Sequence, residues 1–193
     1  MGVVGALAIG VGAAWHFLAP HSGATSGAAE AVPKGELTLA DGSSTIDAAV
    51  FAKAASPPEG YVEYRNARYG FSLYHEPGAT AAEYDEGGGA MTVVLENIKD
   101  PSQARGMQIF VVPYSGTTIS EERFHKDAPS GVRENVEATT VDGVEAVTFN
   151  GYDSFLGDTR EVWVIHGGYL YEITTFKGVG NWFTPIIQSW RFL

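Results

Sequence analysis

A glycine pair inside a long run of strand-forming residues constrains the fold of this chain most strongly. Residues 161–174 are rich in β-branched and aromatic side chains, and Gly167 and Gly168 interrupt them near the centre. Adjacent glycines suit a two-residue hairpin turn, because such turns need positive φ angles. The turn predicts three pairs across the hairpin: His166 with Tyr169, Val164 with Tyr171, and Val162 with Ile173.

Alternation along this hairpin makes both faces of the predicted sheet apolar. One face carries Val162, Val164, Tyr171 and Ile173. The other carries Trp163, Ile165 and Leu170, together with Glu161 and Glu172. An apolar sheet face must be buried against another element. We therefore expect other parts of the chain to pack on each face.

A second hairpin is predicted at Asp142 and Gly143, a pair that favours a type I′ turn. It pairs Val141 with Val144 and Ala138 with Val147. The expected apolar face holds Val136, Ala138, Val147 and Phe149. Further strands are predicted at residues 70–74 and 91–95, and residues 87–89 suit a turn between strands. Residues 108–112 begin with Gln108 and continue with four apolar residues. A continuous apolar run of this kind suits an interior strand.

Two helices are predicted beside these strands. Residues 118–121 fit a capping box and begin a helix that runs through Asp127. Asn181 or Thr184 caps a last helix, and Thr184 would place Pro185 at the first helical position. Its apolar stripe is Trp182, Phe183, Ile186, Ile187 and Trp190. The predicted class is α+β, an antiparallel sheet of about six or seven strands with a few helices packed on it.

Residues 2–19 are apolar except for His16. As a helix they would reach roughly 27 Å, close to the hydrocarbon thickness of a bilayer. Residues 21–31 are mostly small or polar, and prolines at 57 and 58 mark a boundary. Between them lie a weak strand signal at residues 37–42 and a short helix signal at 46–55. The predicted organisation is a membrane segment at 1–20, a flexible linker at 21–60 and a domain at 61–193.

The apolar segment has two interpretations, an uncleaved anchor or a cleaved signal peptide. A signal peptide needs a basic region at its start, but the first basic residue is Lys34. The run also has the length of a single span. We favour the anchor, a single-pass protein of the cytoplasmic membrane whose C-terminal domain is extracytoplasmic.

Charge and composition exclude several classes of function. The chain has 193 residues with 12 basic and 23 acidic side chains, a net charge of −11. Such a surface repels phosphate backbones, which argues against nucleic-acid binding. The chain has no cysteine, so disulfides, thiol catalysis and cysteine zinc sites are excluded.

Several motifs of the domain resemble a known group. It opens with Tyr64, Asn66, Tyr69, Gly70 and Phe71, continues with an acidic glycine-rich hairpin at 83–89 and a strand at 106–113, and closes with residues 186–192. This pattern resembles small exported domains of uncharacterised bacterial proteins and is similar to the Mog1/PsbP α-β-α sandwich group. A departure is His75-Glu76-Pro77, where the group runs directly from tyrosine to proline. The resemblance implies the fold and carries over no functional residue.

No motif for catalysis or a cofactor is present in the domain. There is no Gly-x-Ser-x-Gly, His-Glu-x-x-His, P-loop or dinucleotide fingerprint. His75, His125 and His166 are expected to be surface residues. Glu83, Asp85 and Glu86, with Glu76 near them, are the only acidic cluster that suggests a metal. Their spacing does not fit a calcium loop, so we expect no catalytic, cofactor or metal residue.

Aromatic side chains are the remaining candidates for recognition, since tyrosine and tryptophan are frequent at interfaces. The candidates are Tyr61, Tyr64, Tyr152 and Trp163. The function expected from the sequence is non-catalytic binding or assembly, with a protein, peptide or envelope component as partner. Two alternatives remain open: an extracytoplasmic hydrolase with an unrecognised site, and a signal-cleaved secreted binding module.

Overall fold

The computed structural model describes residues 56–97 and 105–193. In chain order the strands are β1 Val62–Asn66, β2 Phe71–His75, β3 Thr80–Gly87, β4 Ala90–Asn97, β5 Arg105–Pro113, β6 Glu134–Val141, β7 Val144–Asp153, β8 Gly157–His166, β9 Tyr169–Phe176 and β10 Arg191–Phe192. Helix α1 Glu121–Asp127 lies between β5 and β6. A 3₁₀ turn, Lys177–Val179, leads into helix α2 Gly180–Gln188.

Two antiparallel sheets are formed by these residues. The larger has seven strands in the order β3-β4-β5-β9-β8-β7-β6, and the smaller has three in the order β1-β2-β10. The predicted antiparallel α+β class is confirmed for the described residues, and β5 is the expected interior strand, between β4 and β9. The small separate sheet was not predicted, because its third strand, β10, has only two residues.

Both predicted hairpins have the expected register. Val162 pairs with Ile173 and His166 with Tyr169 across the glycine turn. Val141 pairs with Val144 across Asp142 and Gly143, which have φ angles of 48° and 81°. Because side chains alternate along a strand, this register decides which of them enter each core.

The main core lies between the large sheet and a layer made of the small sheet and α2. Four aromatic rings meet there: Phe71, Tyr171, Trp190 and Phe192. Trp190 is fully buried and stacks on Phe71 with ring centroids 4.5 Å apart. As predicted, α2 buries Trp182, Phe183, Ile186 and Ile187.

A smaller core covers the opposite face of the large sheet, beneath α1. Phe124 of α1 contacts the rings of Phe149 and Trp163, with centroids 5.8 Å and 5.7 Å away. Val147 and Leu170 complete this cluster. The prediction that both sheet faces are covered is therefore confirmed, and a seven-residue helix provides the second cover.

Helix starts differ from the predictions. Ser120 caps α1, its hydroxyl accepting a hydrogen bond from the backbone of Arg123, so the cap lies two residues after Thr118. Helix α2 begins at Gly180, before either predicted cap, and Pro185 lies inside it. The 3₁₀ turn leads directly into the first turn of α2, which makes a side-chain cap unnecessary there.

The predicted face of the β6–β7 hairpin is only partly correct. Glu134 pairs with Asn150 and Glu137 with Thr148, so two residues of β6 oppose Phe149. This bulge includes Asn135 at φ 52° and leaves Val136 45% exposed. The apolar segment at 2–19, the linker, and the signals at 37–42 and 46–55 lie outside the described residues.

Candidate functional site

The hairpin joining β7 and β8 extends beyond the strands on either side of it. The pairing of β7 with β6 ends at Asn150, and the pairing of β8 with β9 ends at Thr159. The two strands continue to pair with each other as far as Asp153 and Gly157. Three further residues of a strand span about 10 Å. We call residues 152–158 the aromatic tip.

The Asp153 side chain organises the turn of the aromatic tip. Its Oδ1 accepts hydrogen bonds from the backbone N–H groups of Phe155, at 2.7 Å, and Leu156, at 2.9 Å. Gly157 follows with φ 75°, a conformation that other residues adopt only with strain. A side chain bonded to the backbone two residues ahead stabilises a turn locally. The Asp153 side chain therefore stabilises the turn of the tip.

Two aromatic side chains of the tip face solvent. Phe155 is 82% exposed, the highest value among the large apolar residues that the structure describes, and Tyr152 is 49% exposed. Asp158, paired with Tyr152, is also exposed. A phenyl ring held in water on an ordered turn has no role in the core, and exposed aromatic groups of this kind are typical of binding surfaces.

At the base of the tip a glutamate is buried on the α1 side of the sheet. Glu161 is 8% exposed, and its Oε2 accepts hydrogen bonds from Thr174, at 2.6 Å, and from the indole of Trp163, at 3.3 Å. Burial raises the pKa of Glu161, and these hydrogen bonds oppose the rise only in part.

Glu172 on the neighbouring strand is buried beneath α1. Arg123 of that helix lies 3.7 Å from its Oε1 and forms an ion pair with Asp127. Burial, followed by the neighbouring Asp127 carboxyl, raises the pKa of Glu172 well above its ordinary value, and Arg123 opposes this. We call Glu161, Glu172, Asp127 and Arg123 the buried acidic cluster.

These buried carboxyls predict a pH dependence of stability. The folded pKa values of Glu161 and Glu172 lie above the ordinary 4.5, so the folded state binds protons more tightly than the unfolded chain. Stability is then expected to fall as the pH rises above about 4.5. Thermal melting from pH 4.5 to 8 measures this. The double variant with glutamine at both positions should flatten the profile, and an unchanged profile would contradict the assignment.

Gly151 has no side chain, which leaves room for Thr159 and Glu161 at the base of the aromatic tip. A Cβ atom there would lie 2.8 Å from the hydroxyl of Thr159 and 3.3 Å from Cγ of Glu161. We expect Gly151→Ala to destabilise the protein by about 1–3 kcal/mol, measured by urea unfolding, since buried groups must shift. Gly180→Ala is the control, because outside its own helix backbone and chain neighbours no atom lies within 4 Å of its Cβ position. That variant should be neutral or stabilising, and equal losses would refute the steric argument.

The four aromatic residues predicted for recognition do not form one surface. Tyr152 lies on the aromatic tip. Tyr61 and Tyr64 are half-buried, and the Tyr64 hydroxyl donates to Glu83 at 2.6 Å. Trp163 is 2% exposed and belongs to the core beneath α1. The expectation for Trp163 is thus corrected, because the α1 cover could not be placed over β8 from the sequence.

Phe155 is a residue of the candidate site that is not among the aromatic residues predicted from the sequence. It lies in a short turn after Asp153 and before Gly157, a spacing that suits an aspartate-stabilised turn between two strands. A phenylalanine inside such a turn cannot alternate into either sheet face. Its position between Asp153 and Gly157 is the sequence signal that could identify Phe155 as an exposed aromatic residue.

One of the three histidines departs from expectation. His75 is 7% exposed, with Nδ1 3.0 Å from the carbonyl of Glu76, so its prediction as a surface residue is wrong. His75 ends β2, the central strand of the small sheet, and it pairs with Val62 of β1. The His125 side chain is 64% exposed, and His166 stacks on Phe192 with centroids 4.1 Å apart.

The acidic residues near residues 83–89 are engaged separately. Glu83 accepts hydrogen bonds from Tyr64 and Asn66, and Asp85 from the backbone of Gly87 at 2.8 Å. Glu76 instead binds Arg105 and Asn97. Across residues 56–97 and 105–193, no three acidic or histidine side chains are grouped as ligands for a metal ion.

Comparison with protein-family models and with curated proteins gives no match. Among solved structures, the chain is similar to that of cyanobacterial PsbP (CyanoP) from Synechocystis sp. PCC 6803. The TM-score is 0.50 at 16% identity, and the match covers 74% of this chain and 98% of that one. The fold is PsbP-like. A crystal structure from Bacteroides thetaiotaomicron VPI-5482 matches at 9% identity and TM-score 0.48, covering 68% of this chain and 48% of that one.

The PsbP-like fold agrees with the family resemblance of the sequence motifs. At 16% identity the likeness concerns the arrangement of the backbone alone. Any function has to be argued from the side chains that this chain places on the fold. In the part of the chain that the structure describes, no helix is long and apolar enough to span a bilayer.

Proposed function

We propose that this protein is a membrane-anchored extracytoplasmic domain with a non-catalytic binding or assembly role in the cell envelope, and that it binds its partner through the aromatic tip. The observation that carries the proposal is Phe155, 82% exposed on a turn held by Asp153. Because the turn is already ordered, binding loses little further conformational entropy. The apolar run at residues 2–19 and the linker at 21–60 support the placement at a membrane.

A variant of the tip should lose binding without losing stability. Phe155→Ser is expected to change the free energy of unfolding by no more than about 0.5 kcal/mol, because the side chain makes few contacts in the fold. Burying a phenylalanine contributes about 1.5–3 kcal/mol. Binding should therefore weaken by roughly 10- to 150-fold.

The experiment uses the full chain in cells that naturally make it. Chemical crosslinking of intact cells is compared for the natural chain, Phe155→Ser and Tyr84→Ser. Tyr84 is a matched control, since it is 52% exposed but lies on β3 at the far edge of the sheet. The crosslinked product should be lost for Phe155→Ser and kept for Tyr84→Ser. Equal patterns for all three proteins would contradict a binding role of the tip.

Membrane attachment is tested separately by carbonate extraction and N-terminal sequencing of the mature protein. An anchored protein stays in the membrane pellet and keeps residues 2–19. A protein that starts near Ala29 or Val32 and remains in the soluble fraction would contradict the anchor, and would support a secreted binding module instead.

A further inference from the structure

We infer that the partner of the aromatic tip is a protein with an apolar pocket for one phenyl ring and a rim of lysine or arginine side chains. This inference rests on the proposed function, and it adds the chemistry of the partner. The acidic side chains close to the exposed Phe155 ring support it.

The tip carries acidic side chains near both of its ends. Residues 152–158 contain Asp153 and Asp158 and no basic side chain. Glu134, at the adjacent end of β6, is also exposed. Arg160 follows the tip, but it is directed toward Asn150, at 3.3 Å, and Glu137, at 3.9 Å. An exposed ring with an exposed carboxylate, Asp158, close to it in the hairpin is complementary to an apolar pocket with a basic rim.

Lys177 is a basic residue near the tip, since it directly follows β9, the strand that pairs with β8. In the described residues it forms no ion pair within 4.0 Å with Asp153 or Asp158. Since Oδ1 of Asp153 holds the turn, the Asp158 carboxylate is the group of the tip that is more available to a partner.

The same charges argue against insertion of the ring into a lipid surface. Membrane-binding segments place basic residues beside their apolar groups, because the headgroup surface is anionic. A phenylalanine flanked by carboxylates would be repelled by that surface. Within a protein pocket, in contrast, the carboxylates are attracted by basic groups while the ring is removed from water.

The test keeps Phe155 and places the photo-crosslinking residue benzoylphenylalanine at the neighbouring exposed position 154 of the full chain, in its natural cells. Asp158→Lys is added in one variant and Glu145→Lys in another. Glu145 is a matched control, since it is exposed on β7 at the opposite end of the strand. We expect Asp158→Lys to lower the yield of the protein adduct about tenfold, and Glu145→Lys to leave it unchanged. The crosslinked peptide of the partner should contain apolar residues beside lysine or arginine.

The outcomes separate this inference from the proposed function. A protein adduct that Asp158→Lys does not weaken, or a crosslinked peptide without basic residues, would overturn the basic rim and leave the binding role standing. Adducts with lipid alone would overturn the protein partner. Absence of any adduct at position 154, with folding verified by thermal melting, would overturn both.

Discussion

Arg123→Met is expected to destabilise the protein by about 3–5 kcal/mol near neutral pH, since it removes the positive charge of a buried ion-pair group. The Arg123 side chain is 12% exposed and faces Asp127, 9% exposed, and Glu172, 7% exposed. Without it, two carboxyls remain in a buried place with no opposite charge. The methionine retains most of the apolar stem, so the loss reports the charge.

The defect should depend on pH. Removing Arg123 makes ionisation of Glu172 in the folded state more costly, which raises the pKa of Glu172 further. The loss of stability is then largest at high pH and shrinks as the pH falls toward 4.5, because protonation of Glu172 removes its unpaired charge. Urea unfolding at pH 4.5 and pH 8 measures both values.

Lys126→Met is the matched control for this prediction. Lys126 is on the same helix and has the same charge, but it is exposed. Its loss should cost no more than about 1 kcal/mol, the usual size of a charge effect at a helix end. Equal losses for the two variants, or a loss for Arg123→Met that is the same at both pH values, would contradict the role of the buried acidic cluster.

Trp190→Ala is expected to cost about 3–5 kcal/mol, because it leaves a large cavity in the main core. The indole is fully buried and contacts the rings of Phe71, Tyr171 and Phe192. These contacts join the segment between α2 and β10 to Phe71 of the small sheet and Tyr171 of the large sheet. The loss is measured by urea or thermal unfolding of the full chain.

Trp190→Phe separates packing from any polar contribution of the indole. Its Nε1 has no hydrogen-bond partner among the described residues, so replacement by phenylalanine loses volume but no bond. The phenyl ring can keep the stack on Phe71, and the cost should be clearly smaller than that of alanine. A cost equal to that of alanine would show that stacking contributes little.

Much of the large sheet could be predicted, because its hairpins depend on local chemistry. The pairs Asp142–Gly143 and Gly167–Gly168 adopt positive φ angles that few other residues tolerate. Once a two-residue turn is placed, the alternation of side chains decides the faces of both strands. The start of α2 was not predictable in this way, since the helix begins without a side-chain cap.

The candidate site was less accessible to prediction. The sequence indicates Tyr152 as an aromatic candidate but not Phe155, because the exposure of Phe155 depends on the β7–β8 hairpin extending beyond its pairing with β6 and β9. The sequence indicates Trp163 as a recognition candidate, although the face of the sheet that carries Trp163 is also predicted to be covered. The identity of the cover, α1, involves residues about 40 positions away in the chain.

By itself, the sequence determined the antiparallel hairpins, their register and the two apolar faces of the sheet, because turns and alternation act between neighbours in the chain. The tertiary structure decided three other features: the burial of His75, the meeting of Arg123 with Glu172, and the projection of Phe155 beyond the sheet. Each of these depends on the packing or relative lengths of elements far apart in sequence. The free energy that stabilises such contacts comes from apolar surface and charged groups that distant segments bury together. The sequence of a single segment therefore does not encode it.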